Sequence, residues 1–377
     1  MKGKEGRNNL QSEHRVIISG GGTGGHIFPA IAIANALKSI DPSINILFVG
    51  AEGKMEMEKV PAAGYPIEGL PVTGFQRSLK VSNLAFPFRV LRSLWKAGTI
   101  INRFKPQVAV GVGGYASGPL LYMASWKGVP GLIQEQNSFP GVTNKLLAAK
   151  VEKICVAYDR MERFFPASKV ILTGNPVREN MVVTEGKKSE AAAYFKLDTS
   201  KPTLLVIGGS QGARSINLAV KAHLDKIVTH GVQLIWQSGP RFYEEASQVV
   251  ASVKDKGIRA YDFISRMDLA YAMGDVIISR AGASTVSELC IIGKPAILVP
   301  LPTAAEDHQT HNCKALVEKN AAILVMDIDA MSNLVETALQ LITDHEKKNI
   351  LGANISRLAI RDSAKIIAQH VLSIIKN

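Results

Sequence analysis

RVIISGGGTGGHIFPAIAIANAL, residues 15–37, decides the fold. Arg15 to Ser19 is a short, largely β-branched run that predicts a strand. Gly20 to Gly25 and His26 follow as a loop, and Ile27 to Leu37, apolar and alanine-rich, predicts a helix. A second strand is expected over Ile44 to Val49, completing a βαβ unit. Glycine is needed where backbone turns with positive φ or comes close to a ligand. At a strand-to-helix junction, unpaired amides and the helix dipole make an anion site suited to pyrophosphate. Gly20, Gly22 and Gly25 also satisfy the GxGxxG spacing of dinucleotide-binding proteins. A dehydrogenase of that kind wants an acidic residue ending the second strand. Glu52 lies near that place, with Gly50 and Ala51 intervening.

The pattern repeats outward from this stretch. Val108 to Val112 predicts a strand running into Gly113-Gly114-Tyr115-Ala116-Ser117-Gly118-Pro119, with a helix after it. Pro130 to Gln134 and Lys153 to Ala157 read as further strands. Thr203 to Ile207 opens a second series and runs into Gly208 to Ala213, and Val232 to Trp236, Asp275 to Ser279 and Ala296 to Pro300 continue it. Apolar strands alternating with helical segments indicate parallel sheets covered on both faces. The expected architecture is α/β, two doubly wound Rossmann-like domains facing each other across a cleft. The expected divisions are an N-terminal extension over 1–14, a first domain over 15–177, a second over 178–355, and a final helical segment over 356–377 with the option of packing back on the first domain.

Bulk properties narrow the function. The 377 residues, 46% hydrophobic and 20% charged, suit two globular cores. A net charge of +12 favours anionic partners: nucleic acid, an anionic membrane surface or phosphorylated substrates. Only 6% of residues are aromatic, and no zinc-finger or RNA-recognition pattern occurs, which sets nucleic acid aside. Cys155, Cys290 and Cys313 are far apart and lack CxxC spacing, so a reducing cytoplasm fits better than a disulfide framework. Met1 to Arg15 lacks the apolar region of a secretory signal. Val108 to Trp126 is long and uncharged, but its glycines and Pro119 make it a strand, loop and helix rather than a membrane span.

Any single glycine loop is also explained as a tight turn without a ligand; four of them over two halves are more than one dinucleotide needs. The fourth, Arg280-Ala281-Gly282-Ala283-Ser284-Thr285, follows a predicted strand, and its small residues keep a helix mouth open for phosphate. Glu288 lies about one turn further on, where a carboxylate can accept both hydroxyls of a ribose. The competing reading is an acidic residue complementing the helix dipole.

The ordered set of motifs resembles the MurG family of GT-B glycosyltransferases. It comprises GGTGGHIFPA (21–30), GGYASGP (113–119), EQN (135–137), GVTNK (141–145), GNPVR (174–178), GGSQGA (208–213), RAGASTVSE (280–288) and DHQTHN (307–312). The resemblance covers nearly the whole chain after residue 15. It departs at Cys313, where the family usually has alanine, and at the N-terminal extension. It implies inverting transfer of N-acetylglucosamine from UDP-GlcNAc to the C4 hydroxyl of the muramoyl sugar of lipid I, giving lipid II. UDP-GlcNAc contacts are implied at Thr23, Gly24, Gly25, Asn137, Arg178, Ser210, Ile264, Ala283, Ser284, Thr285, Val286, Ser287, Glu288 and Gln309. The acceptor diphosphate is placed near Gly21, Gly22, Gly113, Gly114, Tyr115 and Ser117. Within the same fold, another UDP-sugar enzyme such as an epimerase, or a non-catalytic UDP-sugar-binding protein, are the alternatives.

His26, ending the first glycine loop, is the candidate base on the acceptor hydroxyl; its competing role is to hydrogen-bond the loop. No cofactor and no metal is expected. Asp327-Ile328-Asp329 is read as a surface turn rather than a metal-binding DxD pair, and His308 and His311 as flanking a sugar-nucleotide contact. Pro71 to Ala97 combines Phe75, Leu79, Leu84, Phe86, Phe88, Leu91, Leu94 and Trp95 with Arg77, Lys80, Arg89, Arg92 and Lys96. That mixture suits an anionic membrane surface; the part from Phe88 to Trp95 equally suits a helix packed on the core with a solvated basic face. The expected location is peripheral, on the cytoplasmic face of the plasma membrane, with cell-wall synthesis proteins as further partners.

Overall fold

The structure is a computed structural model that describes residues 14–72, 86–177 and 179–375. Arg178, Phe75, Arg77, Leu79, Lys80 and Leu84, singled out above, lie outside the described residues, as does nearly all of the N-terminal extension; nothing is described of the Phe86 side chain.

Two parallel sheets carry the chain. The first has seven strands: β1 (Arg15–Ser19), β2 (Asn45–Ala51), β3 (Ile67–Leu70), β4 (Val108–Gly111), β5 (Gly131–Glu135), β6 (Lys153–Val156) and β7 (Val170–Leu172). Their order is β3-β2-β1-β4-β5-β6-β7. The second has β8 (Thr203–Ile207), β9 (Gln233–Gln237), β10 (Ile258–Tyr261), β11 (Val276–Ser279), β12 (Ala296–Leu298) and β13 (Ile323–Leu324), in the order β10-β9-β8-β11-β12-β13. Successive side chains on a strand point to opposite faces. Val16 and Ile18 accordingly enter one core and Ile17 the other. Leu204 and Val206 likewise separate from Leu205 and Ile207. Both faces of both sheets are buried, which is why these strands are continuously apolar.

The last helix, Ser363–Ser373, does pack back. Ile367, Ala368 and Val371 are fully buried with Val16, Ile27 and Ile33, against the helix Gly24–Ile40 of the first sheet. The final segment of the chain thus completes the core of the first domain.

The topology places the glycine loops. In each sheet the strand order reverses at the centre, between β1 and β4 and between β8 and β11. Ligands of open α/β sheets bind outside the carboxyl ends of strands at such a switch point. The four glycine-rich loops are the four segments leaving those strands: Gly20–Thr23 after β1, Val112–Ala116 after β4, Gly208–Ala213 after β8 and Arg280–Gly282 after β11.

Candidate functional site

At the first switch point the two loops are packed on each other. The Gly21 amide donates to Gly113 O at 3.3 Å. Gly114 has φ +89°, and a Cβ there would lie 2.3 Å from Gly21 O, so only glycine fits. The Gly22 amide donates to the buried Glu56 carboxylate at 2.9 Å. The amides of Gly21 and Gly22, expected to face an acceptor diphosphate, are therefore used inside the protein. The ones an anion can take are those opening the helix, Thr23 to Gly25, where no helical acceptor exists. Tyr115 stands half exposed at the rim. Ser117 is fully buried and turned back toward Gly111, not into the cleft.

His26 sits behind this loop pair. Its ring lies where a Gly113 side chain would be, with Nδ1 at 2.8 Å from that position, and Nδ1 has no hydrogen-bond partner. Burial first, and the charge of His308 from the opposite domain second, pull its pKa down from 6.5 to about 4; Glu56 pulls it up. The ring is thus held neutral, the state in which it accepts a proton.

The second switch point borders an open cavity of about 680 Å³ lined by Gly208 to Ser215, Arg280, Gly282, Thr285, Gln309 and Asp327. Gly209 and Gly212 have φ +81° and +78°, and a Cβ on Gly212 would lie 2.1 Å from Ser238 O. Gln309 accepts the Leu301 amide through Oε1 at 2.9 Å, which leaves its NH2 to offer a ligand. Asp327–Asp329 forms a surface turn with Ile328 exposed, and Asp327, half-buried at its start, also pairs with Arg280, while Ser215 donates to it and accepts from Arg280 Nη2. Neutralising Arg280 this way fixes the cavity wall. Glu288 is buried on the helix Ala283–Ile292 and accepts from the Tyr271 hydroxyl at 2.9 Å. Ile264 does not line this cavity, and its amide is taken by Gln237 Oε1 at 2.9 Å.

Val286 and Ser287 also turn elsewhere. They line a second cavity, of about 240 Å³, at the junction of the domains. Ser287 accepts from Asn175 Nδ2 at 3.1 Å. The domains touch again where Asn312 accepts the Ser138 amide at 2.9 Å and donates to Asn137 Oδ1 at 3.1 Å. The Phe139 and His311 rings stack beside it at 4.7 Å. Asn137 is aimed by Glu135, a buried carboxylate that accepts from the Asn137 and Gly141 amides and from Asn144. Burial raises the Glu135 pKa, and those hydrogen bonds oppose the rise. His308 bonds Ala305 O, so His308 and His311 serve different neighbours. The three cysteines are buried and their thiols pushed up to about 12, which removes them as nucleophiles.

Sequence reasoning missed Glu56, Tyr271, Arg280 and Asn312 as site-forming side chains. Arg280 and Asn312 lie inside quoted motifs; Glu56 and Tyr271 carry no local signal.

Comparison with known proteins identifies the family. The glycosyltransferase family 28 N-terminal domain matches residues 16–156, and the family 28 C-terminal domain matches residues 203–369. A protein of Parabacteroides distasonis named UDP-N-acetylglucosamine–N-acetylmuramyl-(pentapeptide) pyrophosphoryl-undecaprenol N-acetylglucosamine transferase is 55% identical over 96% of this chain and 99% of its own length. One of the same name from Bacteroides fragilis is 54% identical over 96% of this chain and 95% of its own. The crystal structure of MurG from Acinetobacter baumannii superposes with a TM-score of 0.80 at 27% identity, covering 96% of this chain and 99% of that one. With both halves matched in order and the likeness running end to end, this chain belongs to the MurG family of GT-B glycosyltransferases.

Proposed function

We propose that the chain transfers N-acetylglucosamine from UDP-GlcNAc to the C4 hydroxyl of the muramoyl sugar of undecaprenyl-diphosphate-linked MurNAc-pentapeptide, with inversion. The observation that carries this is the pairing of four glycine-rich loops at two switch points, one pair in each domain. Two substrates that each bear a diphosphate need two such sites. The 680 Å³ cavity, with Ser210, Thr285 and Gln309 on its wall, suits the donor nucleotide. The helix start at Thr23 to Gly25 suits the diphosphates that meet in the cleft.

The step is a single displacement. The acceptor oxygen attacks the anomeric carbon, its proton passes to His26, and the bond from that carbon to UDP breaks. UDP departs with the electron pair, and amides at the helix mouths stabilise its charge. The negative diphosphates arriving beside His26 raise its basicity as the site fills.

The acceptor lipid is reached from the membrane surface. Among the described residues no helix is long and apolar enough to cross a membrane. The helix Phe86–Phe104 instead exposes Phe88, Leu91 and Trp95 on one stripe, while Ala97, Ile100 and Ile101 are buried on the other side. The neighbouring helix Ser117–Trp126 exposes Tyr122 and Trp126, with Lys150 and Lys127 over their rings. Apolar side chains beside cations fit a peripheral contact with anionic lipid on the cytoplasmic face. The test is incubation with labelled UDP-GlcNAc and a lipid I analogue, following UDP release and disaccharide formation. Tight UDP-GlcNAc binding without transfer would refute the enzymatic reading in favour of a binding protein.

A further inference from the structure

Packed against the first glycine loop lies one carboxylate that the reaction scheme does not use. Glu56 opens the short helix Glu56–Ala62, and its side chain is buried rather than solvated. No lysine or arginine pairs with it among the described residues. Its partners are backbone amides. Oε2 accepts from Gly22 at 2.9 Å, and Oε1 accepts from Ala51 at 3.0 Å. One side chain thus ties the loop after β1 to the end of β2. The space around it is shaped to fit: a Cβ on Gly21 would lie 2.2 Å from Oε1, and a Cβ on Gly50 2.6 Å from Cγ. A methyl at either position would displace this side chain.

We propose that Glu56 is a positioning residue for the transfer reaction, its buried carboxylate holding the first glycine loop in place and setting a negative charge behind His26. The loop amide it takes, Gly22, immediately precedes Thr23 to Gly25, so its grip fixes where the free amides point. The charge has a second consequence. Two ionisable groups act on His26: His308, across the cleft, disfavours the imidazolium, and Glu56 favours it. Glu56 is therefore the protein's own counterweight to burial at the candidate base. This inference rests on the reading of His26 as base only for that second part; the loop-holding part stands on the hydrogen bonds.

The experiment compares Glu56→Gln, Glu56→Asp, Gly21→Ala and His26→Ala in the full chain, with labelled UDP-GlcNAc and a lipid I analogue. Glu56→Gln is expected to lower kcat at least tenfold while the KM for UDP-GlcNAc, held mainly by the other domain, stays within about twofold. Its remaining activity is expected to show the acidic limb of the pH profile displaced to lower pH, because the charge favouring the imidazolium is gone. Glu56→Asp keeps the charge but not the reach, so the limb returns toward its original place while kcat stays low. Gly21→Ala drives a methyl into the carboxylate without removing it, and so gives a second test should Glu56→Gln fold poorly; it is expected to lower kcat in the same way. Unchanged kcat and an unmoved limb in Glu56→Gln, or unchanged kcat in Gly21→Ala, would overturn the proposal. So would equal loss in Glu56→Gln and Glu56→Asp accompanied by lost UDP-GlcNAc binding, which marks a structural role alone. Near-normal turnover in His26→Ala would remove the base reading and the charge half of this proposal, while kcat of Glu56→Gln still judges the loop half.

Discussion

Replacing His26 by asparagine removes a partly buried titratable ring whose Nδ1 is shut off from water, and the consequence for acid stability follows from its environment. The imidazole pKa is held at about 4, below its ordinary 6.5, chiefly by burial. The unfolded chain therefore takes up a proton at His26 as pH falls through 6.5, while the native protein does not until about 4. In that window the unfolded state binds more protons, so stability falls as pH falls. Above 6.5 the penalty is absent; below about 4 the native ring protonates too and the slope from this group ends. The gap between 6.5 and about 4, at 1.36 kcal/mol per pH unit, comes to roughly 3 kcal/mol. For a domain of this size each kcal/mol moves the midpoint by about 2–4 °C, so the gap amounts to roughly 6–12 °C. The assay is thermal and urea denaturation of the native protein and His26→Asn from pH 7.5 to 4. Every other carboxylate and histidine titrates in both, so the difference between them isolates the ring. The native protein is expected to lose roughly 3 kcal/mol more than the variant across that range. Curves that run parallel to within about 1 kcal/mol would show that His26 is hydrated, and the account of its burial would fail.

Gly114→Ala places a methyl 2.3 Å from Gly21 O at φ +89°; a loss of about 1–3 kcal/mol in stability and a fall in turnover are expected, measured by denaturation and transfer assay. Tyr271→Phe deletes the hydroxyl that holds Glu288 at 2.9 Å; isothermal titration should show UDP-GlcNAc binding weakened by about 1 kcal/mol, or roughly fivefold, with the fold intact. Combined Phe88→Ala, Trp95→Ala and Trp126→Ala should reduce co-sedimentation with anionic liposomes at least tenfold, as about 1.5–3 kcal/mol accompanies burial of each large apolar side chain; undiminished binding would rule out this face. Chelation with EDTA is expected to leave most of the transfer activity, because the amides at helix mouths carry the diphosphate charge in this scheme; complete loss, restored by a divalent cation, would contradict it.

The strands legible in the sequence are the interior ones. Arg15–Ser19 and Thr203–Ile207 match the expected runs to the residue, and the other expected strands begin or end within two residues of the observed ones. The strands left unread are β3, β7, β10 and β13, and these are the four edges of the two sheets. An interior parallel strand is covered on both faces and paired on both sides, so its sequence is forced to be apolar throughout. An edge strand pairs on one side only. Ile67–Leu70 carries Glu68, Ile258–Tyr261 carries Arg259, and Ile323–Leu324 is two residues long, all only partly buried for most of their length. Nothing in such short runs separates them from loop. The final segment reads as helical and able to return to the first domain, but the residues it meets are not legible, because Ile367 and Val371 meet Val16 and Ile27 more than three hundred residues away.

The site divides along the same line. Glycines announce themselves because the loops need positive φ and close approach, and those needs act locally on sequence. What the loops do with their amides is decided by residues that come from elsewhere. Gly21 and Gly22 look equivalent to Gly24 and Gly25 as phosphate donors, yet Gly113 O and Glu56 take the first two amides and leave the helix start free. Glu56 lies in a charged run, Lys54-Met55-Glu56-Met57-Glu58-Lys59, that reads as a solvated helix face. Only the curl of the chain after β2 puts the first of its two glutamates inside while leaving Glu58 exposed. The same holds for Asp327, which reads as part of a surface turn with no sign of the Arg280 and Ser215 beside it. A glycine loop read from sequence thus gives the location of an anion site. Its polarity, which amides are free and which charge stands behind them, is written by side chains such as Glu56 and Asp327 that the fold brings in from outside the loop.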